Sequence, residues 1–301
     1  MFHRTLGRTG VEVSEIGFGG AGAGLRNYLR RWDASQEENS RLVEDAIQRA
    51  VERGINYFDT APLYGSEAMF GRALQPYHER VFVATKVREK NAYDTYKSIE
   101  ESLERLQCEQ LDLIQYHGGW YTDEEVDTIL KPDGVLAGMR AAQQEGLVRF
   151  VGFTTEGTNA QATQLIDSGE FDVIQLQYNL FFQHPYDPDK HAGQMLDAEA
   201  KGLGVVIMRP FTGGAFPRWL KQVYPGLEEQ VDVAKLMGGL LAFVLSNPLT
   251  DVALVGMRSV QRVEQNCAIV EDLDSRVNLE QIYGRFLRRS PETGEETWVA
   301  G

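Results

Sequence analysis

Four residues have types suited to proton transfer and fall near one another in a repeating strand–helix pattern: Asp59, Tyr64, Lys86 and His117. The stretch GINYFDTAPLYGSEAMFGRA, residues 54–73, holds the first two. It reads as a buried strand from Ile55 to Phe58 ending in Asp59, then a Pro-containing turn with Tyr64 and Gly65. Ser66 is the expected N-cap of a helix opening with Glu67. A lysine facing inward at a strand end needs an anionic partner, and Asp59 is the nearest acid. A cation beside a phenol stabilises the phenolate, so Lys86 is expected to lower the pKa of Tyr64 from its ordinary value of about 10. Such a tyrosine donates a proton to a carbonyl oxygen near neutral pH, with His117 hydrogen-bonding the same oxygen. The plainer reading makes Asp59 a turn cap and Tyr64 a half-buried core phenol; Lys86 and His117 at the next two strand ends weigh against it. The set lacks a nucleophile–base pair, a second acid placed for glycoside cleavage and a cluster of metal ligands. Proton donation to a carbonyl wants an electron donor, so a hydride-carrying cofactor is the complement.

Residues ending consecutive strands meet only if those strands run parallel, and the chain is patterned for that. Phe2–Leu6 and Val11–Ser14 around a Gly-bearing turn read as a β-hairpin. Short apolar runs follow at Ile16–Gly19, Ile55–Phe58, Val81–Lys86, Leu111–His117, Arg149–Phe153, Val173–Gln177, Gly204–Met208 and Val252–Val255. Between them lie amphipathic helical stripes, among them Leu42–Val51, Tyr96–Leu106, Val135–Glu145, Thr158–Ser168 with a Thr N-cap, Met195–Ala200, Val231–Leu245 and Val260–Val270. Eight strand–helix units predict an α/β fold, a (β/α)8 TIM barrel with an N-terminal β-hairpin, in one domain spanning residues 1–301. An open doubly wound sheet is the alternative. Gly17–Gly22 formally matches G-x-G-x-x-G, but no helix is evident at its last glycine and no acid closes a second strand, so Gly20–Gly24 reads as a loop. Residues 288–301 are a mostly polar tail.

Composition narrows the partners. A net charge of −14 opposes binding to nucleic acid or an anionic membrane, since both need a positive field. Two cysteines in no ligand-like spacing, Cys108 and Cys267, fit a reducing cytoplasm. The N-terminus lacks the apolar core of a signal peptide, and no run is long enough to span a membrane. Oligomeric state is left open.

The segments FDTAPLYGSEAMFGRAL, the Lys86 strand end, LDLIQYH, GLVRFVGFT and VGMRSVQRVEQN together resemble the aldo-keto reductases. The resemblance implies a (β/α)8 oxidoreductase that interconverts a carbonyl (aldehyde, ketone or sugar) and an alcohol. It implies Tyr64 as general acid/base, Lys86 and Asp59 as the pair that tunes it, and His117 as the residue orienting the carbonyl. NADP(H) would lie across the barrel mouth, with NADH less favoured. Carried over residue by residue, Gly19, Gly20, Asp59, Thr154, Thr155, Gln175, Met208, Arg209 and Pro210 border the cofactor. So do Gly256, Met257, Arg258, Arg262, Gln265 and Asn266, the arginines facing the 2′-phosphate. Thr154-Thr155 stand where the family often has Ser-Asn, and Met208 where many members stack an aromatic ring. Tyr28, Trp32 and Trp120 join Tyr64 and His117 as substrate candidates, with Tyr121, Phe181, Phe182, Trp298 and Arg26, Arg30 and Arg31 further out on the rim. A cofactor-binding regulatory or sensor subunit with little turnover is the alternative, and a lyase using Lys86 as a Schiff-base amine is a third.

Overall fold

The computed structural model describes residues 1–28, 31–187, 192–226, 232–279, 287–289 and 296–298. The chain opens with a hairpin, β1 (His3–Thr5) and β2 (Glu12–Ser14), joined through a short 3-10 turn and paired antiparallel with His3 opposite Ser14. Eight strands then alternate with helices. They are β3 (Ile16–Gly19), β4 (Tyr57–Asp59), β5 (Phe82–Val87), β6 (Leu111–Tyr116), β7 (Val148–Thr155), β8 (Val173–Gln177), β9 (Gly204–Met208) and β10 (Val252–Val255). All pair in parallel and in chain order, and β10 closes onto β3. This is the expected (β/α)8 barrel with its hairpin.

The helices are α1 (Ala21–Gly24), α2 (Glu37–Glu52), α3 (Glu67–Leu74), α4 (Ala92–Leu106), α5 (Asp123–Leu130), α6 (Val135–Gln144), α7 (Ala160–Asp167), α8 (Gln194–Ala200), α9 (Ala215–Val223), α10 (Val233–Leu245) and α11 (Val260–Glu271). Three local expectations change. The glycine-rich segment after β3 is one helical turn, α1, rather than a loop. Asn159, not Thr158, caps α7, its side chain accepting from the Ala162 N–H at 3.2 Å. Part of the tail forms a ribbon, β11 (Leu287–Arg289) against β12 (Glu296–Trp298). Val231, the expected start of α10, lies outside the described residues, as does Arg30, and the side chain of Trp298 is not described.

Strand residues alternate between two environments because successive side chains point to opposite faces. Phe58, Val83, Ile114, Ile174, Ile207 and Ala253 face outward into the core between sheet and helices. Tyr57, Phe82, Ala84, Leu113, Val173, Val206, Val252 and Leu254 face the interior and pack with Leu6 and Val13 of the hairpin. The hairpin therefore plugs the N-terminal end of the barrel and leaves the C-terminal end as the open one. Beside the plug, the Glu15 carboxylate is buried between two arginines, Arg4 at 2.6 Å and Arg276 at 2.6 Å. Arg4 also donates to the carbonyls of Leu245, Asn247 and Thr250, tying the chain's start to the end of α10.

Removing Glu15 leaves two facing guanidinium groups without their counter-charge. Glu15→Ala is expected to lower unfolding free energy by about 3–5 kcal/mol in urea titrations, the cost of breaking a buried pair from one side.

Candidate active site

The last inward layer of the barrel is polar. Asp59, Lys86, Gln115, Gln175 and Met208 succeed the apolar layer by the same two-residue alternation, since β4–β6 pair Asp59 with Ala84 and Lys86 with Gln115. Lys86 Nζ donates to Asp59 Oδ2 at 2.5 Å and to the Thr60 carbonyl at 2.9 Å, and its side chain is wholly enclosed. Gln115 Nε2 donates to the same carboxylate oxygen at 3.2 Å and to Gln175 Oε1 at 3.3 Å. Gln175 Nε2 reaches the Met208 sulfur at 3.9 Å. Burial pushes Asp59 up and Lys86 down in pKa, and the contact between them opposes both shifts.

Tyr64 hangs over this floor from a 3-10 turn, Pro62–Tyr64. The turn is held close by α1. The Gly20 N–H donates to the Asp59 carbonyl at 2.7 Å, and a Cβ on Gly24 would lie 2.1 Å from the Tyr64 carbonyl oxygen. Ser66 occupies the position before α3, but its hydroxyl meets Thr60 Oγ1 at 2.7 Å and does not cap the helix. Glu67, expected as a first-turn acid, is buried and held by Thr85 and Arg105.

The Tyr64 hydroxyl lies 3.4 Å from His117 Nε2, with the rings edge to face. Lys86 Nζ is 5.3 Å from the Tyr64 ring centre. The expected acidification of the phenol is not found. Burial pushes the Tyr64 pKa up, Asp59, Tyr28 and Glu156 push the same way, and only Arg209 opposes. The reason is geometric: the ammonium of Lys86 is bonded to Asp59 and Thr60, so its charge is largely compensated before it reaches the phenol. His117 is held down to about 3, by burial first and then by Lys86 and Arg88, so its imidazole is neutral.

A cleft of about 340 Å³ opens above these groups. Gly19, Asp59, Tyr64, His117, Thr154, Gln175, Met208, Arg209, Pro210, Gly256 and Tyr28 line it. The other expected contacts lie elsewhere. Gly20 and the buried Met257 sit behind the wall. The Thr154 hydroxyl donates to the Gly118 carbonyl at 2.8 Å, and that of Thr155 to the Gly157 carbonyl at 2.8 Å with the Gly119 carbonyl further off at 3.2 Å, so neighbouring loops take both hydroxyls. Arg258 is not open to a phosphate in the way expected. Its Nε donates to the Gly22 carbonyl, Nη2 to the Tyr28 carbonyl at 2.8 Å, and the guanidinium stacks 4.5 Å over the Trp32 ring. Trp32 is thereby buried, its own N–H on the Ala23 carbonyl, and is no rim residue. Trp120 is exposed and lies outside the cleft, against Gly157. Ser259 caps α11, and Arg262 and Gln265 are exposed on its first turns with Asn266 buried beside them.

Two polar residues beside the catalytic groups were missed. Gln115 joins Asp59 to Gln175; its inward parity with Lys86 was the available signal. Glu156, one residue beyond β7, pairs with Arg209 at 2.6 Å. It was findable by the rule that found Asp59, an acid at the carboxyl end of a barrel strand. Among the described residues no group of three or more His, Cys, Asp or Glu side chains is placed to hold a metal ion, and no helix is long and apolar enough to cross a membrane.

A closed parallel barrel carrying a tyrosine, a histidine and a buried lysine–aspartate pair at the carboxyl ends of its strands defines a class of barrel oxidoreductases. The chain belongs to the aldo/keto reductase family, whose model matches residues 15–278. It is 32% identical to the L-galactose dehydrogenase of Arabidopsis thaliana, over 90% of this chain and 89% of the relative. It is 28% identical to the uncharacterized oxidoreductase YqkF of Bacillus subtilis, over 88% and 90%. Its fold is similar to the holo form of an aldo-keto reductase from Bacillus halodurans (TM-score 0.73, 22% identity, 93% and 94% covered). It is also similar to an aldo-keto reductase from Klebsiella pneumoniae in complex with NADPH (TM-score 0.69, 19% identity, 100% of both chains).

The enclosed pair should behave as a unit. Lys86→Met or Asp59→Asn alone is expected to cost about 3–5 kcal/mol of stability, and the double variant less than the sum of the two, as read from a double-mutant cycle of denaturant midpoints.

Proposed function

We propose that the protein is an NADP(H)-dependent oxidoreductase that interconverts a carbonyl and an alcohol, with Tyr64 as the proton donor and acceptor. The observation carrying this is the meeting of the Tyr64 hydroxyl and His117 Nε2 at 3.4 Å, at the cleft and above the Lys86–Asp59 pair. The name of the Arabidopsis relative and the NADPH complex of the Klebsiella neighbour support the reaction class and the cofactor.

The cleft suits a long, flat dinucleotide. Its walls include Gly19, Ala21, Gly22, Gly213, Gly214 and Gly256, so backbone faces the space. The Gln115 side-chain oxygen is buried without a protein partner beside Gln175. At the far end, Ser259 and Arg262 at the start of α11 offer a hydroxyl, helix N–H groups and a guanidinium to a phosphate. With Arg258 engaged by backbone carbonyls, Arg262 is the arginine left to favour NADP(H) over NAD(H). Held there, NADP(H) would supply the hydride equivalent of the reaction.

The protein's own part is positioning and proton transfer. The neutral His117, with its proton on Nε2, donates to the carbonyl oxygen and orients it. Tyr64 gives the same oxygen its proton as negative charge develops there. Lys86 and Asp59 fix the floor beneath the phenol, and Arg209 is the group that opposes the rise in its pKa. In the reverse direction that phenolate takes the proton of the alcohol. The Schiff-base reading fails on geometry, because the Lys86 amine is enclosed and bonded to a carboxylate.

Tyr64→Phe is expected to lower kcat by about 10²–10⁴ with NADPH affinity unchanged, measured by nicotinamide absorbance and fluorescence titration. Wild-type rates in that variant would remove Tyr64 from its role, whereas NADPH binding with no turnover on any aldehyde or alcohol would mark a sensor. The pH profiles should differ by direction. A phenol with raised pKa stays protonated, so reduction holds its rate across about pH 6–9, while oxidation, which needs the phenolate, climbs about tenfold per pH unit. Neither profile should bend near the ordinary histidine value of 6.5, because His117 titrates far below it.

A further inference from the structure

Arg209 stands one residue beyond β9 with φ of +59°, a left-handed conformation that costs a side chain-bearing residue. The surroundings hold it there: its carbonyl accepts from Asn179 Nδ2 at 3.2 Å and from the Thr212 N–H at 2.9 Å. The result is a guanidinium laid along the cleft wall. Its Nη2 donates to Glu156 Oε1 at 2.6 Å, and its Nη1 to Glu156 Oε2 at 3.2 Å and Gln177 Oε1 at 3.1 Å. The pair is not sealed off. Arg209 and Glu156 keep 35% and 40% of their side-chain surface, and both line the same cleft as Tyr64 and His117. Both also act electrostatically on the Tyr64 hydroxyl, in opposite directions.

We propose that Glu156 and Arg209 form a hydroxyl-reading pair that selects a neutral polyhydroxylated carbonyl compound, of the aldose class, over aldehydes that lack hydroxyls or carry a carboxylate. The inference rests on the reductase reading above. Each sugar hydroxyl is both donor and acceptor, and a carboxylate beside a guanidinium presents both complements side by side. Two neighbouring hydroxyls can therefore donate to Glu156 and accept from Arg209 together. The pair is neutral overall, so it gives no net attraction to a substrate carboxylate, and Glu156 repels one. The same repulsion argues against Arg209 as a contact for the cofactor's phosphates. The substrate contacts expected of Trp32 and Trp120 are not available in the cleft, since one is buried under Arg258 and the other lies outside. Leu25, Leu63 and Phe211 supply apolar wall for the carbon chain.

The test compares three four-carbon aldehydes with NADPH: erythrose, butanal and succinic semialdehyde. Wild type is expected to favour erythrose in kcat/KM over both others by about tenfold or more. Arg209→Met should lower kcat/KM for erythrose by about 10- to 100-fold more than for butanal, since any loss that acts through Tyr64 is common to both and cancels in the ratio. Glu156→Gln should cost erythrose a similar factor and raise succinic semialdehyde by about threefold or more, because the guanidinium is then uncompensated. NADPH affinity should not change in either variant. Equal losses on erythrose and butanal, or a fall in NADPH affinity without a change in discrimination, would overturn the assignment. Wild-type turnover of all three aldehydes without preference would overturn it and leave the reductase reading standing. No turnover of any of them, and no oxidation of the matching alcohols, would overturn both.

Discussion

The contact between Lys86 and Asp59 constrains the rest of the mouth. Two charges with essentially no solvent exposure are tolerable only together and with their remaining valences met, and here Thr60 and Gln115 meet them. That requirement reaches back into the sheet. Both residues face inward only if β4 and β5 pair with Tyr57 opposite Phe82 and Asp59 opposite Ala84. A slip of one residue would turn both charges into the apolar layer under the helices. One ion pair thus penalises wrong registers in the strands that carry the site, and it sets the level at which Tyr64 and His117 meet.

Beneath the pair the barrel is filled, so the polar layer has a dry base. Tyr57, Phe82 and Phe150 stack in sequence, with ring centres 5.0 and 6.3 Å apart, and Leu6 and Val13 of the hairpin close the end below. Water reaches the reacting groups from one side only. That explains the directions of the shifts at the mouth: the imidazole is kept neutral and the phenol protonated, chiefly by exclusion of solvent. An uncharged donor pair facing one open cleft fits an oxygen that gains negative charge during reaction.

The barrel was legible because its signal is repetitive: eight apolar runs, eight helical stripes and turns between them. The four mouth residues were legible because strand ends in a parallel barrel must converge, whatever the helices do in detail. What the sequence hid were the second partners of long side chains. Ser66 looked like a cap because nothing local says that Thr60 competes for its hydroxyl. Arg258 looked like a phosphate ligand because its engagement with Gly22, Tyr28 and Trp32 spans more than 220 positions of chain. Lys86 looked like an acidifier of Tyr64 because spacing reports proximity and not where a charge is already spent. The helical turn α1 was hidden by its four-residue alternation of Ala and Gly, a composition that favours loops by propensity. Tertiary contact overrides that propensity, and the same glycines let it approach the Tyr64 backbone.

The charge balance also explains where an anionic ligand can be held. At −14 overall, the protein's long-range field repels a dinucleotide phosphate. Attraction must come from short-range groups, and the arginines near the cleft are not equivalent. Arg258 is committed to the carbonyls that fix the loop after β3, and Arg209 to Glu156. Arg262, exposed on the first turn of α11 beside the Ser259 cap, combines a guanidinium with the positive end of a helix dipole. For the proposed cofactor this separates two tasks in space: charge recognition at the start of α11, and near-neutral chemistry at Tyr64 and His117. The division follows from the fold, because the strand ends that meet at the barrel axis are buried while the helix that follows β10 starts at the solvent edge.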